Sequence, residues 1–447
     1  MVLIVTATGV LLSGLDLLIV NVALPKISTS FGHASLPNLS WILNAYAIVY
    51  AALLVPAGRL GDRSGNKAMF LSGLTIFVVG SGLCATVPNL GLLIMCRVLQ
   101  AVGGAMMIPS SLGLVLAATP LERRATAVRV WVAFGGLGAI LGPVLGGLLV
   151  ELSWRWIFLI NLPIGLITLL VGLRLLPNPA GVGGQLPDLR GAVLLMASIA
   201  SLVTGLVKGN DWGWTSVAVL GLFAATIVLA VAFAISSKRH SSPLIDPSLL
   251  RIPSFNLMAV NSLLFSAAFG ALVMSITLSL QQLWGWSALR TGLAIAPGPV
   301  VVPIVAVLVG AIIARIGPGL VIGVGGLVCA MGLGWWALSI SLHANYLGAF
   351  FGGLLLCGIG IGLSQPPAFA AGTSALPAQQ FATGSAVLIM ARQVGIAIGI
   401  SVLVAVVGTP ATPHAVLQGF QHGWWATAVI SVLAGLVGLP ASRTLSG

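Results

Sequence analysis

Fourteen runs of apolar residues, each long enough to cross a bilayer, follow one another along this chain. A span needs about 20 predominantly apolar residues. Such runs lie near residues 2–24, 40–59, 68–87, 90–117, 125–150, 156–176, 190–208, 216–236, 255–281, 291–314, 320–341, 345–371, 382–407 and 423–440. In hydrocarbon every backbone N–H and C=O must be paired inside the structure, which leaves helices and closed barrels. Barrel strands read as short alternating segments, whereas these runs are long and unbroken. The expectation is an all-α polytopic membrane protein. Only 6% of the residues are charged, against about 25% in a soluble domain, too few to cover a water-facing surface. A cytosolic enzyme, a secreted disulfide scaffold and a disordered chain are excluded on that ground. Cys84, Cys96, Cys329 and Cys357 all fall inside apolar runs, which argues against disulfides and a zinc site.

The net charge of +12 does not point to nucleic acid, because no Lys/Arg run exceeds two residues. The basic residues read as topology signals. With the N-terminus in the cytoplasm, 13 of the 19 fall on the inside, among them Arg123, Arg129 and Arg443. Lys26, Arg155, Lys208 and Arg290 fall outside, and Arg97 and Arg392 lie within spans. The positive-inside rule then places both termini in the cytoplasm of a multi-pass cell (inner) membrane protein. The longest connections follow spans six and eight, so spans seven and eight read as an insertion between two six-span halves. Residues 1–177 are expected to form an N-terminal six-helix bundle. Residues 178–253 would form a two-helix transmembrane insertion with flanking cytoplasmic loops, and 254–447 a C-terminal six-helix bundle. A faint repeat supports the halves: Gly58, Arg63 and Gly65 align with Gly310, Arg315 and Gly317, after the second span of each. Repeats of this kind are a transporter architecture.

Four stretches carry most of the chemistry: LDLLIVNVALP (Leu15 to Pro25), GRLGDRSGNK (Gly58 to Lys67), RVLQAVGGA (Arg97 to Ala105) and GPVLGG (Gly142 to Gly147), the last followed by WRWIFLINLPIG. With SSPLIDPSLLRIPSF, QQLWGWSALRTGLAIAP and ARQVGIAIG further on, the chain resembles the major facilitator superfamily. More narrowly it resembles the fourteen-span drug:proton antiporters of that superfamily. The resemblance covers essentially the whole chain. It implies two six-helix bundles plus two inserted helices, alternating access, and a proton gradient as the energy source with no cofactor. One departure stands out: several relatives carry further acidic residues in the second half, and this chain has none within its spans.

Asp16 is the only acidic residue deep in a span. Its insertion costs about 2.5–3.5 kcal/mol, so it should face protein or a wet cavity. Arg97 lies at equal depth, counted at about 1.5 Å per residue from the outer surface, and Gln100 follows it on the same face. Asp16 and Arg97 read as a proton-sensitive pair beside a substrate cavity, or else as a static ion pair that fixes packing. In GRLGDRSGNK the glycines should give a sharp turn, Arg59, Arg63 and Lys67 should meet anionic headgroups, and Asp62 could cap a neighbouring helix. By resemblance Gly58, Arg59, Gly61, Asp62, Arg63, Gly65 and Lys67 form a cytoplasmic gating latch; otherwise they are a topology signal only. Gly138, Gly142 and Gly146 recur on one helix face and permit close helix approach, beside Pro143 and Gly147. By resemblance this is the antiporter motif, and plain tight packing predicts the same sequence. Candidates for the substrate cavity are Asn21, Asn44, Tyr46, Gln100, Gln281, Gln282, Gln365, Arg392 and Gln393. Any one of these could equally be an interhelical hydrogen bond. Trp41, Tyr46, Trp131, Trp284 and Trp286 could stack on a planar cation or belt the interface. His414 and His422 are expected in an outside loop.

There is no GxxxxGK[ST] for an ATP-driven cycle, no catalytic cluster and no metal-ligand cluster, so an enzyme is not expected. The leading expectation is a monomeric secondary transporter, surrounded by lipid, that exports lipophilic, cationic drug-like compounds in exchange for protons. Alternatives are export of a native metabolite, a lipid or an anionic solute, or a non-transporting membrane sensor or scaffold.

Overall fold

Short polar punctuation divides the apolar runs into helices. Asn89, Asp188, Ser216, Ser287, Asn345 and Thr412 each accept a hydrogen bond from a free backbone N–H at a helix start; such caps are worth about 1 kcal/mol each. The computed structural model describes residues 1–120, 123–177, 186–376, 381–409 and 412–441. Among these are 14 helices long and apolar enough to span a membrane. They are α1 (Val2–Ser30), α2 (Leu36–Ser64), α3 (Asn66–Thr86), α4 (Leu90–Ala118), α5 (Arg124–Leu152), α6 (Trp156–Leu175) and α7 (Leu189–Trp212). After them come α8 (Val217–Arg239), α9 (Pro253–Leu283), α10 (Ala288–Leu308), α11 (Pro318–Ser339), α12 (Tyr346–Ser374), α13 (Phe381–Val407) and α14 (Pro413–Gly438).

Helices pair the same way twice. In the first half α1 packs on α5, α3 on α4 and α6, and α2 on α4; in the second, α9 packs on α13, α11 on α12 and α14, and α10 on α12. The turns repeat as well. Gly65, between α2 and α3, has φ 105°, and Gly317, between α10 and α11, has φ 81°, a region that favours glycine. The halves meet along two related seams, α2 with α13 and α5 with α10. Helix α7 lies against α2 and α13 and carries α8 on its outer side. In its most apolar stretch α8 is only 6% buried, against 89% for α2, so nearly all of α8 is left for lipid. The arrangement is an all-α, fourteen-span membrane protein.

Several expected boundaries move. Pro25 does not end α1, which continues to Ser30. Gly58 to Ser64 is the last part of α2, so only Gly65 makes the turn, not a glycine-rich loop. Thr412 caps α14 and Pro413 opens it, which puts His414 and His422 inside the helix and not in an outside loop. The tenth span breaks into Ala288–Ile295, Pro297–Leu308 and Gly310–Ile316; at the first break Pro297 and Pro299 lack the N–H donors that would carry the helix on. Residue 178, where the insertion was expected to begin, and Arg443 lie outside the described residues.

Candidate functional site

The outer half of α1 carries Asp16 and α4 carries Arg97, and their side chains meet. Arg97 Nη1 donates to Asp16 Oδ2 at 2.5 Å and to Gln100 Oε1 at 2.6 Å, while its Nε donates to the Ile42 carbonyl of α2 at 3.3 Å. Gln100 Nε2 donates to Asp16 Oδ1 at 2.8 Å and to Ser81 Oγ of α3 at 3.3 Å. Ser81 donates in turn to the Phe158 carbonyl at 2.9 Å and accepts from Asn161 Nδ2 of α6, also at 2.9 Å. The guanidinium lies 4.3 Å from the centre of the Tyr46 ring. Five helices of the first half thus converge on one network, and Asp16, Arg97 and Gln100 are all 0% exposed. Two charges taken out of water are tolerable only when every lone pair and proton is met, and both carboxylate oxygens are met here. Removing one member of such a pair typically costs about 3–5 kcal/mol.

The network faces the interior of the first half, where Asp16, Arg97 and Gln100 are enclosed by protein. One residue along a helix is a turn of about 100°. Leu17, Leu18 and Asn21, on other faces of α1, line a cavity of about 20 Å³ between the halves, together with Leu43, Phe269, Val273 and Ile396.

The glycines of α5 hold this arrangement close. A Cβ at Gly138 would stand 2.7 Å from the Leu11 carbonyl oxygen and 2.7 Å from the Leu15 nitrogen of α1. At Gly142 it would stand 3.0 Å from Leu18 Cβ, and at Gly146 2.9 Å from Ile19 Cγ1. Gly147 faces the other way, where its Cβ would be 2.6 Å from the Ala288 carbonyl oxygen of α10. Beside it the Pro143 carbonyl abuts Gly292 of α10. One helix therefore packs by glycine against α1 on one side and closes the outer seam between halves on the other.

At the cytoplasmic end, Arg59 Nη1 donates to Ser242 Oγ, in the segment joining α8 to α9. Gly58 lies against Pro109, where a Cβ would be 3.2 Å from the ring. Lys67 Nζ donates to the Leu173 and Leu176 carbonyls at 3.0 and 2.8 Å, so it closes the C-terminal end of α6 instead of meeting a headgroup. Asp62 and Arg63 are exposed, and Asp62 Oδ1 accepts only a long 3.5 Å bond from Asn66 Nδ2. The start of α3 has no side-chain cap, so the expected capping by Asp62 is not made there.

The remaining cavity candidates scatter. Asn44 Nδ2 donates to Ser401 Oγ at 3.1 Å and joins α2 to α13. Gln281 Nε2 donates to the Val22 carbonyl at 3.1 Å and joins α9 to α1. Gln365 donates to Ser266 Oγ at 3.2 Å within the second half. Gln282 lines an outer cavity of about 240 Å³ with Pro25, Ser28 and Leu278. Gln393 is buried, and Arg392 is exposed. Most of the aromatic candidates are engaged internally. Trp131 donates to Ser111 Oγ at 3.0 Å, Trp284 and Trp286 pack at 5.1 Å, and Arg290 lies 4.1 Å from the Trp286 ring centre. Sequence reasoning missed Ser81, Asn161 and Ser401; a polar atom within an apolar run was the available signal. Among the described residues no group of three His, Cys, Asp or Glu side chains could hold a metal ion.

Comparison with known proteins adds ancestry to this geometry. The Major Facilitator Superfamily family model matches residues 6–400. The chain is 34% identical over 404 residues to the multidrug resistance protein Stp of Mycobacterium tuberculosis (strain ATCC 25618 / H37Rv), covering 90% of this chain and 74% of that one. It is 32% identical to the tetracenomycin C resistance and export protein of Streptomyces glaucescens, with coverage of 90% and 74%. It is 31% identical to the cephamycin export protein CmcT of Amycolatopsis lactamdurans, with coverage of 91% and 85%. Among solved structures, the peptide transporter POT in complex with sulfate superposes with a TM-score of 0.71 at 16% identity, over 100% of this chain and 96% of that one. At that identity the likeness bears on the fold alone.

Proposed function

This chain belongs to the Major Facilitator Superfamily, and on that premise we propose that it is a proton-coupled exporter of lipophilic, drug-like compounds, of the fourteen-span drug:proton antiporter kind. As a member it is a secondary active transporter that moves small molecules across the inner membrane, and not an enzyme. The relatives whose names speak of multidrug resistance, tetracenomycin export and cephamycin export support an outward direction. The observation that carries the coupling is the buried Asp16–Arg97–Gln100 network, the one place in the described spans where a carboxylate is held out of water.

In this reading the proton acts through packing. A proton from outside that neutralises Asp16 removes the charge Arg97 is paired to and one acceptor of Gln100. The freed guanidinium must find another partner, and α1 shifts against α4. Leu17, Leu18 and Asn21, on the same helix, line the space between the halves, so the shift is felt where substrate binds. With Asp16 turned into the first half, direct pairing of a cation with it is not part of this mechanism. Exchange of one proton for a neutral molecule moves net charge inward and gains about 2.3 kcal/mol per 100 mV. With no second acidic residue deep in a span, one proton per cycle is the expected stoichiometry.

The cytoplasmic motif would act as a latch between the halves, with Arg59 tied to the segment that precedes α9. The test of export itself is a resistance and accumulation panel in a pump-deleted host. Lowered accumulation of one or more lipophilic compounds, restored by an uncoupler, is expected. Accumulation unchanged by expression across the panel would refute proton-driven export.

A further inference from the structure

Arg392 sits near the middle of α13, about 16 Å from Phe381 at about 1.5 Å per residue, and its side chain is exposed. A charge at that depth persists where it faces protein, water or a ligand. Its face is fixed by its neighbours. Ile389, one turn before it, packs against a first-half cluster that contains Tyr46, Tyr50 and Trp131. Ile396 and Ile400, one and two turns after it, line the cavity between the halves with Leu17, Asn21 and Leu43. Residues three and four apart share a helix face, so Arg392 opens toward the first half and not toward lipid. Tyr50 of α2 lies within electrostatic reach of it.

No carboxylate answers this charge. Among the described residues the ion pairs are Arg97 with Asp16 and Lys208 with Asp211. Both Asp16 oxygens are taken by Arg97 and Gln100. Among the described residues, the face between the halves therefore presents the Arg392 charge with no carboxylate paired to it. Next in the chain, Gln393 is buried with its Oε1 unpartnered, and so is Asn44 Oδ1 across the seam. Buried polar atoms of this kind mark a place for water or ligand. One and two turns further along α13, Ile396 and Ile400 join Leu17, Leu43, Phe269 and Val273 in an apolar wall between the halves.

We propose that Arg392 recognises the acidic group of the substrate, so that the exported compound is an amphiphilic organic anion, an apolar body bearing carboxylate or phenolate oxygen, rather than a cation. A guanidinium presents paired donors that match such an oxygen pair, and the apolar wall takes the body. A membrane potential negative inside also drives an anion outward. This inference rests on the export reading above.

The test uses the purified full chain in detergent and two dyes on the same ring frame, anionic fluorescein and cationic rhodamine 123, with binding read by fluorescence anisotropy. Fluorescein is expected to bind more tightly. Arg392→Gln should weaken it by about tenfold to a hundredfold, the range of a hydrogen bond to a charged group, and leave rhodamine 123 unchanged or tighter. Arg392→Lys should lose less. Rhodamine 123 bound as tightly as fluorescein, both dyes weakened equally by Arg392→Gln, or no saturable fluorescein binding would each overturn the proposal. If fluorescein binding depends on Arg392 yet inverted vesicles show no pH-driven uptake, the site stands and the export reading falls.

Discussion

Replacing Gly138 by alanine should separate α1 from α5, and its cost follows from the structure. The new Cβ would lie 2.7 Å from two backbone atoms of α1, the Leu11 oxygen and the Leu15 nitrogen, about 0.7 Å inside ordinary contact. Backbone cannot rotate aside as a side chain can, so the helices must part. Overpacking of this kind costs about 1–3 kcal/mol. Alanine also gains about 1 kcal/mol of helix propensity over glycine, which blurs the single measurement. Gly136, two residues earlier on the same helix, removes that ambiguity, because a Cβ there meets nothing within 4 Å. The propensity gain is common to both variants and cancels in their difference. Gly138→Ala should therefore be less stable than Gly136→Ala by about 1–3 kcal/mol, roughly fivefold to a hundredfold in the folded-to-unfolded ratio. Reversible unfolding in mixed micelles with rising dodecyl sulfate reads that gap, with vesicle uptake measured alongside. Because α1 carries Asp16, uptake should fall with stability for Gly138→Ala only. Equal stability of the two variants would refute the account of this seam.

Two other substitutions probe the ends of the cycle. Gly292→Ala puts a methyl group against the Pro143 carbonyl, so the outer seam should not close. The variant should insert normally but lose transport about tenfold or more, and a cysteine placed at Gln282 should label faster from outside; unchanged labelling and uptake would show that the seam does not close the cycle. Asp62 is exposed and makes one long bond to Asn66, so Asp62→Asn should leave stability within about 0.5 kcal/mol of wild type while lowering efflux. Unchanged efflux at normal expression would make the motif a topology signal only.

Span number and order were legible because length and hydropathy alone decide them. The boundaries that moved have local causes. Pro413 to His422 is polar enough to read as loop, yet Thr412 and Pro413 nucleate the helix early. Gly58 to Ser64 reads as turn by its glycines, but two helical turns need only Gly65 to reverse. For the site, counting depth from the outer surface brought Asp16 and Arg97 to one level, and the structure joins them directly. What counting cannot supply is the face. A step of one residue separates Asp16, inside the first half, from Leu17, at the seam. The serines that complete the network were invisible for a different reason: Ser81 and Ser401 are small polar residues common in membrane helices, and only their partners distinguish them. Arg392 was legible in the sequence as an arginine within a span, but which face it occupies came from Ile389 and Ile396 around it.

The central claim is that the Asp16 carboxylate couples the proton gradient to export. The direct measurement is substrate accumulation in inverted vesicles under an imposed gradient, acidic inside, for wild type and Asp16→Asn, with equilibrium exchange across the same vesicles as the control for a folded carrier. The account predicts that Asp16→Asn loses accumulation against the concentration gradient while exchange persists. Accumulation by Asp16→Asn to the wild-type level would make the Asp16–Arg97 pair a packing element and contradict the mechanism.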